Sequence, residues 1–376
     1  MEINSRTMNT IPPDFVRRFR LVGLLTVAAV YLLILVGGVV RSTGSGMGCP
    51  DWPKCFGTWI PPTRASQLPV NYKEIYTAQR VTKNQKLART LERLGFQQVA
   101  GDIFAHPSQY IETDFNPVKT WIEYINRLLG ALIGVFVLAA VVTAIPYWTR
   151  DRVVFWMALA SFLLTGVQGW LGSLVVSTNL LPVMVTIHMG LALVIVALLL
   201  YAVDRARYGW NSLQAVPAGG GIETGFRLGL WLALALTFTQ IVLGTQVREQ
   251  VDIVSAATGY LARETWISQL GGIFKVHRGF SILVVALNVY LSYELWQLGQ
   301  PRLRRLAGAT LGLLGLEILA GIVLANWALP AAIQPVHLTL AVVLFGTQFL
   351  TLLAAGRREQ IELSDLSVAA AQRVVA

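Results

Sequence analysis

The chain has 376 residues, of which 55% are apolar and only 13% are charged, and its mean hydropathy is +0.58. These values exclude an ordinary soluble globular domain and indicate a membrane protein. The formal net charge of +10 accompanies no nucleic-acid-binding motif, so it indicates membrane topology and a surface that favours anionic lipid headgroups, with no nucleic-acid partner.

Eight apolar runs are long enough to cross a bilayer, since a spanning helix needs roughly 20 mostly apolar residues. They lie at residues 19–41, 119–145, 153–177, 182–203, 226–247, 273–296, 306–328 and 333–355. The sequence therefore predicts an all-α, multi-pass integral membrane protein.

Five basic clusters indicate how the runs are oriented. They lie before the first run and after the second, fourth, sixth and eighth runs, at Arg17–Arg20, Arg150/Arg152, Arg205/Arg207, Arg302–Arg305 and Arg357/Arg358. All five fall on one side if the runs alternate, and the positive-inside rule makes that side the cytoplasm. Both termini are then cytoplasmic. Since residues 1–18 are polar and carry no signal or transit pattern, we expect a bacterial plasma (inner) membrane.

Residues 42–118 are too polar to span the bilayer, so we expect them to form an external loop. Its first part contains both cysteines of the chain, in Gly48-Cys49-Pro-Asp-Trp-Pro-Lys-Cys55. The outside of a membrane permits disulfides, which favours a Cys49–Cys55 bond over two unpaired thiols.

The middle of the same loop predicts an amphipathic helix between Tyr72 and Phe96 that packs over the external mouth of the bundle. Its apolar positions are Ile75, Leu87, Leu91 and Leu94. His106 follows in the loop without a partner pattern, so we interpret it as a surface residue rather than a ligand.

An internal repeat organises the membrane runs. Asn126-Arg127 aligns with His277-Arg278, and His188 aligns with His337, at offsets of 151 and 149 residues (277 minus 126, and 337 minus 188). A glycine precedes each of the latter two histidines by 16 residues, as Gly172 and Gly321, and Gly37-Gly-Val-Val-Arg41 resembles Gly244-Thr-Gln-Val-Arg248. Each half has an even number of runs, so the halves share one orientation. The predicted architecture is two pseudo-symmetric four-helix bundles.

His188, His277 and His337 occupy equivalent depths in this repeat. Each lies in the first turn or two of a run that enters from outside, which places it roughly 6–12 Å below the external boundary at 1.5 Å per residue. Neutral imidazoles inside a helix bundle suit haem iron. A lone membrane histidine often just hydrogen-bonds across helices, but three at repeat-related positions favour metal. We therefore predict a bis-histidine haem site at His277 and His337, and an altered site at Asn126 and His188.

The two halves differ in ways that suggest different roles. Glu123 aligns with Phe274, so only the first half has a carboxylate at this level. Asn126 leaves His188 as the one protein ligand there, which gives an open or weakly held iron position. Electron transfer favours a closed site and chemistry needs room, so Glu123 is the candidate for relaying protons or positioning an oxygen nucleophile. The alternative is a structural ion pair between Glu123 and Arg127.

Four arginines accompany these positions near the external helix ends. They are Arg41, Arg127, Arg248 and Arg278. Each has two interpretations that the sequence leaves open, a partner for haem propionates or an anchor for a helix end.

Together these motifs resemble the haem A synthase family over most of the chain. The resemblance rests on Gly37-Gly-Val-Val-Arg41-Ser-Thr-Gly-Ser-Gly46, the cysteine motif, Pro61-Pro-Thr, Glu123-Tyr-Ile-Asn-Arg127, His277-Arg278 and His337. The long external insertion is nearer the mitochondrial-like branch of that family than the compact bacterial one.

The resemblance implies an oxidoreductase that converts the ring methyl of haem O to the formyl group of haem A for terminal oxidases. It implies His277 and His337 as ligands of a haem b cofactor, His188 as a ligand of the substrate haem, and Glu123 as the essential carboxylate. It also implies that Cys49 and Cys55 form an external redox pair. Haem O synthase or oxidase assembly factors, and further copies of the chain, are the partners it suggests.

One position departs from the family motif, which usually reads Glu-x-x-His-Arg. Here the histidine is replaced by Asn126. An amide is a poor ligand for haem iron, although it can hold a water. The product could still be haem A, formed at a five-coordinate or water-bound iron, or the reaction could be changed or lost.

Two other classes stay open at this point. A membrane b-type cytochrome would use the same histidines but has no evident use for Glu123. A transporter would explain the repeat but usually has discontinuous helices and midplane sites. The predicted division of the chain is an N-terminus at 1–18, a first half at 19–203 that includes loop 42–118, a linker at 204–225, a second half at 226–355 and a tail at 356–376.

Overall fold

A computed structural model describes residues 12–104, 111–112, 114–178, 181–208, 224–259 and 261–375. His106 lies outside the described residues. The regular elements are α1 (Asp14–Ser42), α2 (Tyr72–Arg93), α3 (Gln97–Asp102), α4 (Pro117–Ala144), α5 (Arg152–Ser177), α6 (Pro182–Tyr208), α7 (Thr224–Ala257), α8 (Trp266–Gln269), α9 (Gly272–Gln297), α10 (Pro301–Asn326) and α11 (Ile333–Val375), with short 3-10 turns between some of them. Within those ranges every one of these elements is helical, which confirms the predicted fold class.

Eight of the described helices are long and apolar enough to cross a membrane, and they correspond one to one with the predicted runs. They are α1, α4, α5, α6, α7, α9, α10 and α11. Several helix ends extend past the predicted limits, and α7, which was predicted to end at residue 247, continues to Ala257. The last helix continues through the predicted tail to Val375, and α6 continues to Tyr208. The predicted limits mark where the apolar residues end, whereas a helix can continue beyond the apolar part of its sequence.

Local sequence signals explain several helix starts. Proline stands at the first helical position of α4, α6 and α10, where its missing N–H is not needed and its fixed φ suits a helix. Asn116 caps α4 by accepting a hydrogen bond from the backbone N–H of Lys119 at 3.1 Å, as expected of an N-cap side chain.

The spanning helices pack in the same pairs in each half. In the first half α1 packs on α4 and α6, and α5 packs on α4 and α6. In the second half α7 packs on α9 and α11, and α10 packs on α9 and α11. This equivalence agrees with two four-helix bundles related by the repeat. The face at which α1 ends and α4 begins is here called the loop face.

Glycines allow close approach where α1 meets its neighbours. A Cβ atom added to Gly38 would lie 2.8 Å from Cβ of Pro335 in α11, and one on Gly346 of α11 would lie 2.1 Å from the Tyr31 hydroxyl. Small residues serve this purpose in membrane helices, because packing and not the hydrophobic effect drives their association. The α1–α11 contact is therefore the main seam between the halves.

The loop that connects α1 and α4 packs on the loop face, and some of the predicted apolar positions of α2 take part in this contact. Leu87 and Leu91 are partly buried in a cluster with Leu181 and Met184 at the start of α6, whereas Leu94 is 66% exposed. The most buried positions of α2 recur at every fourth residue, at Tyr76, Arg80, Asn84 and Ala88.

Arg80 explains why the buried face of α2 is not purely apolar. Its side chain is 1% exposed and lies 2.8 Å from the carboxylate of Glu112, which is 4% exposed. Burial raises the pKa of Glu112, and Arg80 opposes that rise. A buried charge needs such a partner, and the partner here lies 32 residues further along the chain.

The Gly38 contact generates a stability prediction. We expect Gly38→Ala to destabilise the purified protein by about 1–3 kcal/mol, because overpacking a tight contact costs that much. Gly312→Ala is the matched control, since Gly312 lies in α10 with no neighbouring atom within 4 Å of an added Cβ. Thermal unfolding in detergent should separate the two variants. Equal unfolding midpoints of the two variants would show that the helices accommodate the added methyl group at Gly38 without a measurable loss of stability.

Candidate functional site

Four polar side chains near the loop face each lie against a glycine of a neighbouring helix. An added Cβ on Gly244 would lie 3.4 Å from Cε1 of His277, and one on Gly321 would lie 3.7 Å from Cε1 of His337. The same distance is 3.5 Å between Gly172 and His188, and 4.0 Å between Gly37 and Oδ1 of Asn126. The recurring glycine spacing of the sequence thus has a physical cause, because each glycine gives a site residue room beside its backbone.

His277 on α9 and His337 on α11 face each other across the second bundle. Their ring centroids lie 6.5 Å apart, and their planes make an angle of 82°. Two imidazoles bound to one metal ion at about 2 Å per bond have centroids about 6 Å apart. The spacing is compatible with one iron between the rings, and the bis-histidine site stays a prediction.

A haem is also compatible with the small number of protein ligands. In the described part of the chain, no three His, Cys, Asp or Glu side chains are grouped so that they could hold a metal ion. The porphyrin supplies the equatorial ligands of haem iron, and the protein supplies only the axial ones. A pair of histidines is thus sufficient for haem, while it would be too few for a structural zinc site.

The backbone of two site histidines is held by glutamines. Gln168 donates from Nε2 to the backbone oxygen of His188 at 2.9 Å, and Gln240 donates to that of His277 at 3.1 Å. His337 has a different neighbour, since its Nδ1 lies 2.7 Å from Oε2 of Glu317. Glu317 was not predicted as a site residue, although the repeat offset of 149 residues, which aligns His337 with His188, also aligns Glu317 with Gln168.

Glu123 lies at the loop face of the first bundle and is 2% exposed. Its carboxylate accepts a hydrogen bond from the backbone N–H of Cys49 at 2.9 Å and forms an ion pair with Arg127. The ion pair that we weighed as the alternative role for Glu123 is therefore present. In the same half, Oδ1 of Asn126 and Nδ1 of His188 are buried without a hydrogen-bond partner among the described residues.

Arg127 fixes the cysteine loop to α4. The structure contains the predicted Cys49–Cys55 disulfide, and both cysteines are fully buried. Arg127 donates to the backbone oxygens of Asp51 at 2.6 Å, Cys49 at 3.0 Å and Lys54 at 3.1 Å. A guanidinium group carries enough donors in a fixed plane to hold several acceptors at once. Arg127 thus links the loop and Glu123 in one network.

Gly48 permits the loop to approach the start of α4. An added Cβ there would lie 2.6 Å from the backbone oxygen of Lys119. Thr120 donates from its hydroxyl to the backbone oxygen of Gly48 at 2.9 Å. The loop therefore contacts the helix that carries Glu123 directly.

Arg41 and Arg248 meet across the seam between the halves. Both bind one carboxylate, that of Asp252, at 3.1 Å and 2.6 Å respectively. Arg248 also contacts Gln334. Asp252 was not predicted from the sequence, although it lies four residues after Arg248 on the same helix face. Arg278, the repeat equivalent of Arg127, is exposed.

A second polar cluster lies deeper in the second bundle. Gln348 donates to Thr237 at 2.9 Å and to Asn288 at 2.7 Å, and all three side chains are buried. The repeat aligns them with buried apolar residues of the first bundle, namely Val30, Val137 and Leu199. Hydrogen bonds between membrane helices each contribute on the order of 1 kcal/mol, so this cluster stabilises the second bundle at positions where the first bundle packs apolar side chains.

Comparison with known proteins shows which family the chain belongs to. The family model described as "Cytochrome oxidase assembly protein" (COX15-CtaA) matches residues 20–94 and 96–349, which include all four glycine-facing positions. The chain belongs to this family. Membership confirms the family resemblance, and together with the eight apolar helices it indicates a multi-pass membrane protein.

Several relatives carry the name "Heme A synthase". One from Shewanella oneidensis is 24% identical over 343 residues, which cover 83% of this chain and 89% of the relative. One from Rhodospirillum centenum is 26% identical and covers 78% of each chain. One from Roseobacter denitrificans is 25% identical and covers 85% of this chain and 83% of the relative.

The arginine network generates a local prediction. We expect Arg127→Leu to raise hydrogen exchange of the backbone amides in residues 49–56, because three carbonyl contacts and the partner of Glu123 are lost together. Arg278→Leu removes the same charge at the repeat-equivalent, exposed position, so it should leave that exchange unchanged. Mass-spectrometric hydrogen exchange of the purified protein measures both. Unchanged protection in Arg127→Leu would mean that the disulfide alone holds the loop.

Proposed function

We propose that this protein is a haem A synthase that oxidises the ring methyl of haem O to a formyl group, using a haem b held by His277 and His337. The facing histidine pair with its 6.5 Å ring spacing carries the proposal. Family membership and the names of the relatives support the same reaction. The protein is then an oxidoreductase of haem A biosynthesis that serves terminal oxidases.

The second half would hold the cofactor. Haem b supplies one-electron redox chemistry when it is bound. His277 and His337 would hold it through their ring nitrogens, Gln240 fixes the backbone of His277, and Gly244 and Gly321 leave room beside the rings. A site closed by two histidines suits electron transfer, because the ligands need not change with redox state.

The first half would hold the substrate haem. α4 and α6 occupy the places that α9 and α11 occupy in the second bundle, so Asn126 and His188 are expected to face one space. His188 binds the iron, and Asn126 leaves the opposite position open or water-filled. Turning a methyl into a formyl group with an oxygen atom from water releases four electrons and four protons. The electrons would leave for an external acceptor, and the protons need an acceptor in the site. Glu123 and Asn126 are the catalytic candidates, with Glu123 accepting protons and Arg127 orienting it beside the substrate.

The arginines near the loop face are candidate partners of the haem propionates. Arg41 and Arg248 are oriented by Asp252, and Arg278 has an exposed side chain close to His277 in the chain. Guanidinium groups bind carboxylates in a two-pronged geometry. Cys49 and Cys55 would act as an external redox pair.

The basic clusters support an orientation for the protein. We place both termini and the linker at 204–225 on the cytoplasmic side of a bacterial plasma membrane, and the loop face outside. The first half at 19–203 then carries the substrate site and the second half at 226–355 carries haem b. Lipid, haem O synthase, oxidase assembly factors and further copies of the chain are its proposed partners.

One observation favours a second candidate function. The ion pair of Glu123 with Arg127 is what a structural role for Glu123 would require. In that case the protein is a b-type cytochrome of the membrane that passes electrons and leaves haem O unchanged, or it is an inactive family member.

The reaction is tested in membranes of a host that makes haem O but not haem A. We expect expression of this chain to yield haem A, identified by chromatography and mass of extracted haems. Glu123→Gln should lower its yield about 10²–10⁴-fold, since that is the contribution of general acid–base catalysis, while the haem b content stays unchanged. Haem b without haem A or a hydroxylated intermediate in the unaltered protein would favour the cytochrome function.

The cofactor site is tested separately by optical spectra of the purified protein. We expect His277→Ala and His337→Ala each to abolish the low-spin haem b spectrum, because either change removes an axial ligand. His188→Ala is the matched control, since it should abolish haem A formation but keep that spectrum. If His277→Ala and His337→Ala retain low-spin haem b, the assignment of the cofactor to the second half is wrong.

A further inference from the structure

Glu317 is a charged side chain that lies against one ring of the facing histidine pair. Its Oε2 lies 2.7 Å from Nδ1 of His337, and its side chain is 13% exposed. The two atoms are at hydrogen-bond distance, although the N–H direction of the ring is not yet aligned with the oxygen. Oε1 of Glu317 is buried and has no hydrogen-bond partner among the described residues. The other carboxylate oxygen of Glu317 therefore makes no hydrogen bond within the described part of the chain that would draw the side chain away from His337.

The first bundle has an amide, and not a carboxylate, at the position that corresponds to Glu317. Glu317 precedes His337 by 20 residues, and Gln168 precedes His188 by the same number. Gln168 contacts the backbone oxygen of its histidine, whereas Glu317 lies against the imidazole nitrogen. His277, the other member of the pair, has its Nδ1 buried without a partner among the described residues. The two histidines thus have different electrostatic surroundings.

A carboxylate beside Nδ1 has a defined effect on a metal-bound histidine. It accepts the Nδ1–H proton in a hydrogen bond, which leaves Nε2 as the nitrogen that can bind the metal. Such a partner fixes the ring orientation and increases the basicity of the ligand. A more basic ligand stabilises ferric over ferrous iron and so lowers the midpoint potential.

We propose that Glu317 is a positioning residue that accepts a hydrogen bond from Nδ1–H of His337, directs Nε2 to the haem iron and lowers the midpoint potential of haem b. The inference rests on the proposed function, because it requires haem b between His277 and His337. The hydrogen bond requires the ring of His337 to turn so that its N–H points at the carboxylate. The two axial ligands are then unequal, and His337 is the stronger electron donor of the two.

The test is a redox titration of haem b in the purified full-length protein, followed by its absorbance. We expect Glu317→Gln to raise the midpoint potential, since a neutral amide is a weaker acceptor, and Glu317→Leu to raise it further. Glu317→Leu should also lower haem affinity about 10–100-fold, which is typical when an outer partner of a metal ligand is lost. The g values of ferric haem in electron paramagnetic resonance should change in both variants, because they report ligand basicity.

Gln168→Leu is the matched control, since it alters the repeat-equivalent position and should leave the midpoint potential and g values of haem b unchanged. If Glu317→Gln binds haem b with the potential and g values of the unaltered protein, the inference is wrong while the cofactor site stands. If the unaltered protein holds no haem b, or His337→Ala keeps its low-spin spectrum, the proposed function fails first. Should Glu317→Leu lose haem entirely, Glu317→Gln still decides, because it preserves the size of the side chain.

Discussion

The close contact between a glycine and a polar side chain, repeated at four places near one face of the membrane bundle, is the constraint on which the site depends. A side chain on the neighbouring helix would occupy the space that the ring edge fills, so a glycine at that position lets the ring approach the backbone closely. Gly244 and Gly321 do this for His277 and His337. The rings can then stand at a fixed separation while the helices pack around them, which is the preorganisation that a metal site needs.

On this shared scaffold the two halves differ at several positions beside the site residues. One half has a carboxylate and an amide at the positions that correspond to Phe274 and His277, and the other has a carboxylate beside His337. The deeper cluster around Gln348 has only apolar equivalents in the first bundle. The repeated bundle thus provides two sets of glycine-facing positions with different polar neighbours, which is what the proposed division into an electron-transfer site and a reactive site requires.

Most of the fold was predictable, because membrane spans are encoded by local composition and the histidine positions by an internal repeat. The disulfide followed from two cysteines in one short loop. The contacts that define the chemistry were harder to predict. Arg80 with Glu112, and Arg41 with Asp252, join residues that are 32 and 211 positions apart, and periodicity carries no information about such pairs. Glu317 is the instructive case, since its repeat alignment was readable, but only the distance to His337 gives it a role.

The contact of Arg41 and Arg248 with Asp252 has an electrostatic consequence for both halves. Arg263 also interacts electrostatically with Arg248, so a third guanidinium group lies near the pair that shares this carboxylate. The charge of these four side chains together is positive. Its field acts on both bundles and is stronger in a medium of low dielectric constant than it would be in water. A negative charge in either bundle is therefore attracted toward the same place, the seam.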